Sequence, residues 1–440
     1  MKHLLTRREA LKSGTLASVA FLIGARAHGG PNEKLDLAFI GIGGRGRENL
    51  NSLAKETNVV ALCDVDDERA GDAYKRFPKA KKYQDFRRML EEVGSQIDGV
   101  VIGTPDHTHF HPASMALSMG KHLYLEKPMA HSVREARTLT RLAAEKKLAT
   151  QLGVQRHALE NVHRVVEIVR SGAIGDVKEC HAWVGGERGM PEIPKDSPPV
   201  PPHLEWDLWL GPAAARPYSP AYVPYSWRFW WDFGTGEMGN WGCHILDIPF
   251  WALDLKHPSR VEASGPPVHG QTTPRSMTVR YDFLERESLS ERGGPSGRGK
   301  LPPVTLHWYH TKDNPRFLRE KGLPHLGSGV LFVGSKGMLH CEFGKRKLYP
   351  EAQFAGFEPP KKSIPDSPGF YKEWIGASKG GPPATCNFEY SGPLTETVLL
   401  GNVAYRTGKP FEWDAESLKA KGVPEADPYL SPPYREGWKV

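Results

Sequence analysis

The chain has 440 residues, of which 39% are hydrophobic and 25% charged, and a formal net charge of +7. That composition belongs to a globular protein with room for two or three cores, and it excludes both a disordered chain and a membrane-spanning bundle. Five widely spaced cysteines without a C-x-x-C pair exclude a disulfide framework and a zinc knuckle.

Residues 1–27 read as an export leader. Lys2, Arg7, Arg8 and Lys12 precede an apolar segment over residues 16–23, and Ala25-Arg26-Ala27 offers a small-residue cleavage pattern. The segment is too short to span a bilayer. Arg7-Arg8, with Thr6 before it and Leu11-Lys12 after it, resembles the twin-arginine signal, although Ala10 stands where Phe is commoner. The expected destination is the periplasm or cell envelope, reached through the twin-arginine machinery. Without the leader the chain is close to charge balance, so nothing in its charge argues for nucleic acid or anionic membranes.

From residue 34 short apolar runs alternate with helical patterns. Strands are predicted at residues 35–40, 59–63, 99–102, 122–125 and 149–152, and helices at 48–55, 68–77, 86–92, 112–119 and 133–146. The last helix carries Ser132 and Glu135 in capping-box spacing and an apolar face of Val133, Ala136, Leu139, Leu142 and Ala143. The fold class is therefore α/β, with a doubly wound parallel sheet of Rossmann type over residues 34–152. A second α/β domain is expected over residues 153–440. It begins with a helix at 162–171 and a strand at 177–184, then a Pro- and aromatic-rich stretch over 191–231. Strands at 277–283, 304–310, 330–333 and 338–343 suggest a large, mainly antiparallel open sheet. Charge and turn residues over 285–303 mark an excursion expected to be mobile, and a helix is predicted at 394–406.

Four motifs carry chemistry. Gly41-Ile42-Gly43-Gly44-Arg45-Gly46 lies between a strand and a helix, where the chain turns sharply and a pyrophosphate approaches N–H groups at a helix start. Asp64 closes the second strand, placed to accept hydrogen bonds from ribose hydroxyls and to repel a 2′-phosphate, so NAD is preferred over NADP. The loop from Thr104 to His111 follows the 99–102 strand, and Thr104, Pro105, His107 and His109 are expected on the wall of the cofactor cleft. His107, His109 and His111 alternate as metal ligands can, but no acidic or cysteine partner stands at suitable spacing, and no metal is assigned. Glu126-Lys127-Pro128 follows the next strand. There a lysine lies near the nicotinamide, able to donate to a substrate hydroxyl and to stabilise an alkoxide. The fourth motif runs from Trp230 to Asp247, with its glycines suggesting a tight loop and its apolar end a helix start near His244 and Asp247. A neutral His244 is the natural general base. Aromatics from Trp206 to Trp231 divide between core and sugar-stacking platform, with Trp230 and Trp231 assigned to the substrate site.

In this order GIGGRG, Asp64, TPDHTHFHP, EKP and GNWGCHILD resemble the Gfo/Idh/MocA oxidoreductases, and the resemblance extends over nearly the whole chain beyond the leader. It implies a Rossmann domain followed by an α/β domain whose open sheet serves oligomerisation, as a dimer or tetramer. It also implies that Lys127 and His244 act on the substrate hydroxyl during hydride transfer. An aspartate is common four residues before that histidine; here Asn240 stands there, which orients but carries no proton. Gln155 is implied to border the nicotinamide, with Arg156, His157 and Asp247 on the substrate side.

An exported enzyme meets no soluble pool of nicotinamide cofactor. The expected function is thus oxidation of a sugar, polyol or glycoside hydroxyl with tightly bound, internally recycled NAD. One alternative is an NAD-dependent glycoside hydrolase working by transient oxidation, elimination, hydration and re-reduction. Another is a non-catalytic carbohydrate-binding protein on the same fold.

Overall fold

The structure is a computed structural model, and it describes residues 33–288, 299–312, 315–324 and 326–438. The leader and most of the 285–303 excursion lie outside the described residues. The described residues from Leu35 onward form one compact unit.

Its first part is a parallel sheet of β1 (Asp36–Ile40), β2 (Asn58–Cys63), β3 (Lys81–Tyr83), β4 (Gly99–Ile102), β5 (His122–Leu125) and β6 (Thr150–Leu152), in the order β3-β2-β1-β4-β5-β6. Helices α1 (Gly44–Leu53), α2 (Asp67–Arg76), α3 (Phe86–Val93), α4 (Phe110–Ser118) and α5 (Val133–Lys146) connect them. The inner strands are buried along most or all of their length, which is why they read as continuous apolar runs rather than alternating ones. The order reverses between β1 and β4, and that switch point opens a crevice at the strands' carboxyl ends. Helix α5 starts with the capping box seen in the sequence: Ser132 accepts from Glu135 N and Glu135 accepts from Ser132 N.

After helix α6 (Glu160–Arg170), the second part is a nine-stranded sheet. It contains β7 (Val177–Gly185), β8 (Arg260–Ser264), β9 (Met277–Phe283), β12 (Val304–Thr311), β13 (Ser328–Gly334), β14 (Met338–Cys341), β15 (Arg346–Tyr349), β16 (Phe411–Asp414) and β17 (Lys419–Lys421). A two-residue ribbon of β10 (Arg286–Glu287) and β11 (Lys300–Leu301) stands apart from it at the base of the excursion. The nine strands run β15-β14-β13-β7-β12-β9-β8-β16-β17, all antiparallel except the central β7–β12 pair, whose register sets His307 beside His181. Strand β12 alternates buried and half-buried residues, so one face lies on the core.

The division at residue 152 is not a division of contacts. Leu152 N donates to Cys386 O and Gln151 Nε2 to Phe370 O, so a late segment returns to the edge of the first sheet. The helix Phe388–Thr407 then packs along α5. Pro393 makes residue 394 look like a helix start, yet the helix begins at Phe388, capped by Asn387 accepting from Tyr390 N, and forfeits only the bond that the proline lacks.

Arg137 on α5 holds both carboxylate oxygens of Glu396 at 2.6 Å, and Glu396 is 1% exposed. Removing one partner leaves the other charge buried and unpaired. Glu396→Ala is expected to lower the unfolding free energy by about 3–5 kcal/mol, with a much smaller loss in an Arg137→Met/Glu396→Leu double variant, both read by urea denaturation.

Candidate active site

A cavity of about 880 Å³ opens at the carboxyl ends of β1, β2, β4 and β5, lined by Ile40, Cys63, Gly103 and Glu126 from those ends. Its floor is the glycine-rich turn. Gly41 has φ +74°, and a Cβ on Gly46 would sit 1.8 Å from the Gly41 carbonyl oxygen, so this turn closes only with glycine at both places. Helix α1 starts within it, at Gly44, with no side chain capping its first N–H groups. Those donors and the helix dipole form a cradle for a pyrophosphate. Gly43, Gly44 and Arg45 also border the cavity.

At the end of β2 the two oxygens of Asp64 accept from Ile42 N at 2.8 Å and Asp66 N at 3.1 Å, which fixes the carboxylate while leaving lone pairs for ribose hydroxyls. Burial holds its carboxyl above the usual range in spite of those two bonds. Thr104 and Pro105 line the cavity, and Thr104 Oγ1 is buried with no protein partner. Glu126 accepts from Asn49 Nδ2 and Gln155 Nε2 through one oxygen, and Gln155 also donates to Tyr124 OH. The glycine cradle, the fixed Asp64 and the partnerless Thr104 hydroxyl all fit a bound dinucleotide.

The other end of the cavity holds the reactive groups. Lys127 Nζ donates to Asn240 O at 2.6 Å and to Asn240 Oδ1 at 3.1 Å, leaving one N–H for a ligand. Asn240 Nδ2 donates to Glu237 Oε1, and Arg188 Nη2 donates to Glu237 Oε2 at 2.6 Å. Only the start of this motif loops: Gly234 lies outside any helix and Gly236 has φ +66°, whereas Met238–Gly242 is one π-helical turn, leading into a short helix that carries His244. Gly239 permits that turn, since a Cβ there would lie 1.7 Å from Thr235 Oγ1. His244 lines the cavity, and its Nδ1 is buried without a protein partner.

Burial pushes Lys127 below the ordinary lysine value, outweighing Cys243, Glu126 and Asp106 nearby, and Arg228 adds to the depression. His244 is held well below an ordinary histidine by burial, then by the positive charges of Lys127, Arg156 and Arg45. The imidazole is accordingly neutral at neutral pH, as a proton acceptor must be.

Six expected site residues stand elsewhere. His107 is buried with its ring nitrogens on Phe233 O and Trp209 O, and burial pushes its pKa down to about 3. His109 links Pro128 O and Thr104 O, bracing the cleft wall from behind. His157 faces both oxygens of Asp247 at 2.9 and 3.0 Å and stacks on Trp251, while Asp247 also accepts from Tyr390 OH. Both are 1% exposed and form a buried dyad away from the cavity. With Cys386 this dyad could hold a metal ion by spacing alone, as could Glu179, His181 and His307 on the sheet; neither group borders the cavity. Trp230 and Trp231 are core, their indole N–H groups donating to Ala221 O and His269 O. The aromatics that do face the cavity include Trp209, Tyr225, Trp227, Trp241 and Trp438. Arg156 faces it too, stacked between Trp241 and Phe343.

Sequence reasoning missed Asp106, Arg188 and Arg228. Asp106 lies within the TPDH motif itself, and its Oδ2 accepts from Thr235 N and Oγ1. Arg228 offered no signal beyond its place in an aromatic run. Also unforeseen is a crossing at the nucleotide end: Asp67 N donates to His203 O and Glu205 N to Val65 O, so residues 203–205 lie across the chain that leaves β2.

The glycine geometry gives a paired test. Gly46→Ala is expected to abolish NAD binding in equilibrium dialysis and to lower the melting temperature. Gly71→Ala, on helix α2 where a Cβ would meet nothing within 4 Å, is expected to keep the binding.

Known proteins carry the same architecture. Residues 35–154 match the family model for the oxidoreductase family NAD-binding Rossmann fold, and residues 166–286 match the C-terminal α/β domain of the same family. Inositol 2-dehydrogenase of Rubrobacter xylanophilus is 32% identical over 159 residues, covering 35% of this chain and 45% of that protein. UDP-N-acetylglucosamine 3-dehydrogenase of Acidithiobacillus ferrooxidans is 29% identical over 136 residues, 31% of this chain and 41% of that protein. Levoglucosan dehydrogenase of Pseudarthrobacter phenanthrenivorans is 24% identical, covering 42% of this chain and 40% of that protein. The chain thus spans less than half the length of these relatives. Among solved structures, the WlbA dehydrogenase from Bordetella pertussis with NADH and UDP-GlcNAcA superposes with a TM-score of 0.61 at 14% identity, covering 87% of this chain and 99% of that one. The two matched domains, the glycine-rich turn with Asp64, and the Lys127–Asn240–His244 cluster make this chain a member of the Gfo/Idh/MocA family of NAD-binding oxidoreductases.

Proposed function

We propose that this protein oxidises a hydroxyl of a sugar, polyol or glycoside with an NAD that it retains and recycles. The observation that carries the reading is the meeting of Lys127, Asn240 and His244 at one end of a cavity whose nucleotide end is crossed by residues 203–205. Relatives named for inositol, UDP-N-acetylglucosamine and levoglucosan support a polyol or sugar substrate.

Bound NAD supplies the hydride acceptor, and the carbonyl of a second substrate takes the hydride back so that the retained cofactor returns to its oxidised form. The chain's own part is proton handling and charge. The free N–H of Lys127 donates to the substrate oxygen, neutral His244 takes the hydroxyl proton, and the ammonium meets the charge that develops on oxygen. Asn240 takes up the other two lysine N–H groups and so aims the third. It moves no proton, and the relay is complete with two titrating groups.

The crossing supports retention. Leu204, Leu208 and Trp209 line the cavity from the segment that is hydrogen-bonded to Val65 and Asp67, beside the end of β2 where Asp64 lies. The twin-arginine leader expected from the sequence supports the same reading, because a protein carried outward folded by that route keeps a cofactor loaded in the cytoplasm.

Protein purified without added nucleotide and then denatured should release NAD(H). Leu204→Gly with Trp209→Ala should lose it on gel filtration, and a wild-type protein free of nucleotide would sink the retained-cofactor reading. Lys127→Ala and His244→Ala are each expected to slow nicotinamide reduction by sugars by about 10²–10⁴-fold. Since His244 is depressed, it stays neutral as pH falls through the ordinary histidine value of about 6.5, and the acid limb of the rate lies below that. Since Lys127 is depressed, it loses its proton as pH rises before the ordinary lysine value of about 10.4, and the alkaline limb lies below that. A stopped-flow pH profile with limbs at the ordinary values would refute both assignments.

A further inference from the structure

We infer that the substrate carries a carboxylate, as an acidic sugar does, and that Arg228 is the residue that binds it; this rests on the sugar-oxidising reading above. Three arginines other than Arg45 and Arg69 border the cavity: Arg156, Arg188 and Arg228. Arg188 is already engaged, by Glu237 at 2.6 Å and Tyr225 OH at 3.1 Å. Arg156 lies against Trp241 and Phe343, and the charge that acts on it is Arg45 in the glycine-rich turn, which places it toward the phosphate end.

Arg228 is different. Its guanidinium is half-buried, 4.3 Å from the Tyr225 ring centroid and 4.2 Å from that of Trp227, and its one side-chain hydrogen bond among the described residues runs from Nη1 to Tyr225 O at 3.1 Å. Among the described residues no carboxylate lies within 4.0 Å of it. Asp106 and Glu237 are near enough to act on its charge, yet Asp106 is bound to Thr235, and Glu237 to Arg188 and Asn240. Nε and Nη2 therefore have no acceptor among the described residues, on a residue that borders the cavity and whose charge acts on Lys127.

The placement is rigid, and no carboxylate touches the guanidinium. Gly234 packs so closely that a Cβ there would fall 2.5 Å from the Arg228 Cα, and aromatic rings lie against the guanidinium. A planar fork with unused donors matches the two oxygens of a carboxylate, and a partly desolvated cation with no carboxylate in hydrogen-bonding contact gains from a ligand that brings one. Arg228 is thus a specificity residue, distinct from the proton-handling pair.

The test titrates NAD-loaded protein with methyl glucuronide, methyl glucoside and glucose 6-phosphate, following nicotinamide absorbance and, by calorimetry, binding. The glucuronide should half-saturate at about 10- to 100-fold lower concentration than the glucoside, the range of a charge-assisted hydrogen bond. Arg228→Gln should erase that preference while leaving half-saturation by the glucoside within about threefold, and Arg228→Lys should restore part of it. Melting temperature and NAD content of each variant show whether it is folded, and the wild-type comparison stands without any variant. Equal response to glucuronide and glucoside overturns the inference, as does tighter binding of the phosphate, or equal weakening of both glycosides by Arg228→Gln. No nicotinamide response to any of the three, with NAD bound, counts instead against the sugar-oxidising reading.

Discussion

The contact on which the site depends is the pair of hydrogen bonds from Lys127 Nζ to the two oxygens of Asn240. Lys127 follows the end of β5 in the nucleotide domain, and Asn240 lies on the π-helical turn of the second domain, so the two halves meet at the atom that must face the substrate. The turn is wider than an α-helical one, which places the Asn240 carbonyl and its side-chain oxygen together toward the lysine. His109 fixes the other side by tying Pro128 to Thr104, and Glu237 with Arg188 holds the amide of Asn240 in one orientation. Because every one of these partners is itself engaged, the third N–H of Lys127 has a defined direction.

Asparagine at this position changes how the charges add up. A carboxylate beside Lys127 would raise the lysine and keep it protonated; the neutral amide adds no such charge, so burial outweighs Cys243, Glu126 and Asp106 and the lysine is depressed. Burial depresses His244 as well, followed by the charges of Lys127, Arg156 and Arg45. Base and electrophile are thus both tuned first by burial, a division of roles between neighbouring titrating groups that needs no third member.

Much of this was legible in the sequence, and the misses have physical causes. Strands covered on both faces appear as apolar runs, and the glycine turn, Asp64, Lys127 and His244 stand at spacings that only one architecture satisfies. Edge strands such as Lys81–Tyr83 and Lys419–Lys421 are short and polar, and carry no such signal. Trp230 and Trp231 looked like a sugar platform because aromatic density is the same for a core and for a site; what separates them is whether the indole N–H groups find backbone carbonyls, as these do. Histidine presents the same ambiguity. His107 and His109 spend both ring nitrogens on carbonyls, whereas His244 keeps a buried nitrogen without a protein partner.

Arg228 shows the limit from the other direction. A single arginine between Trp227 and Phe229 is, as sequence, a surface residue covering apolar neighbours, which is the common fate of the type. Only the fold reveals that Arg228 borders the cavity while the acids nearest it hydrogen-bond to other groups. Charge accounting over a whole pocket is a property of three dimensions, since it depends on which acids are already taken. It is also what distinguishes a substrate anchor from a structural cation, because the structural cation, like Arg137 on Glu396, already has both of its partners within the chain.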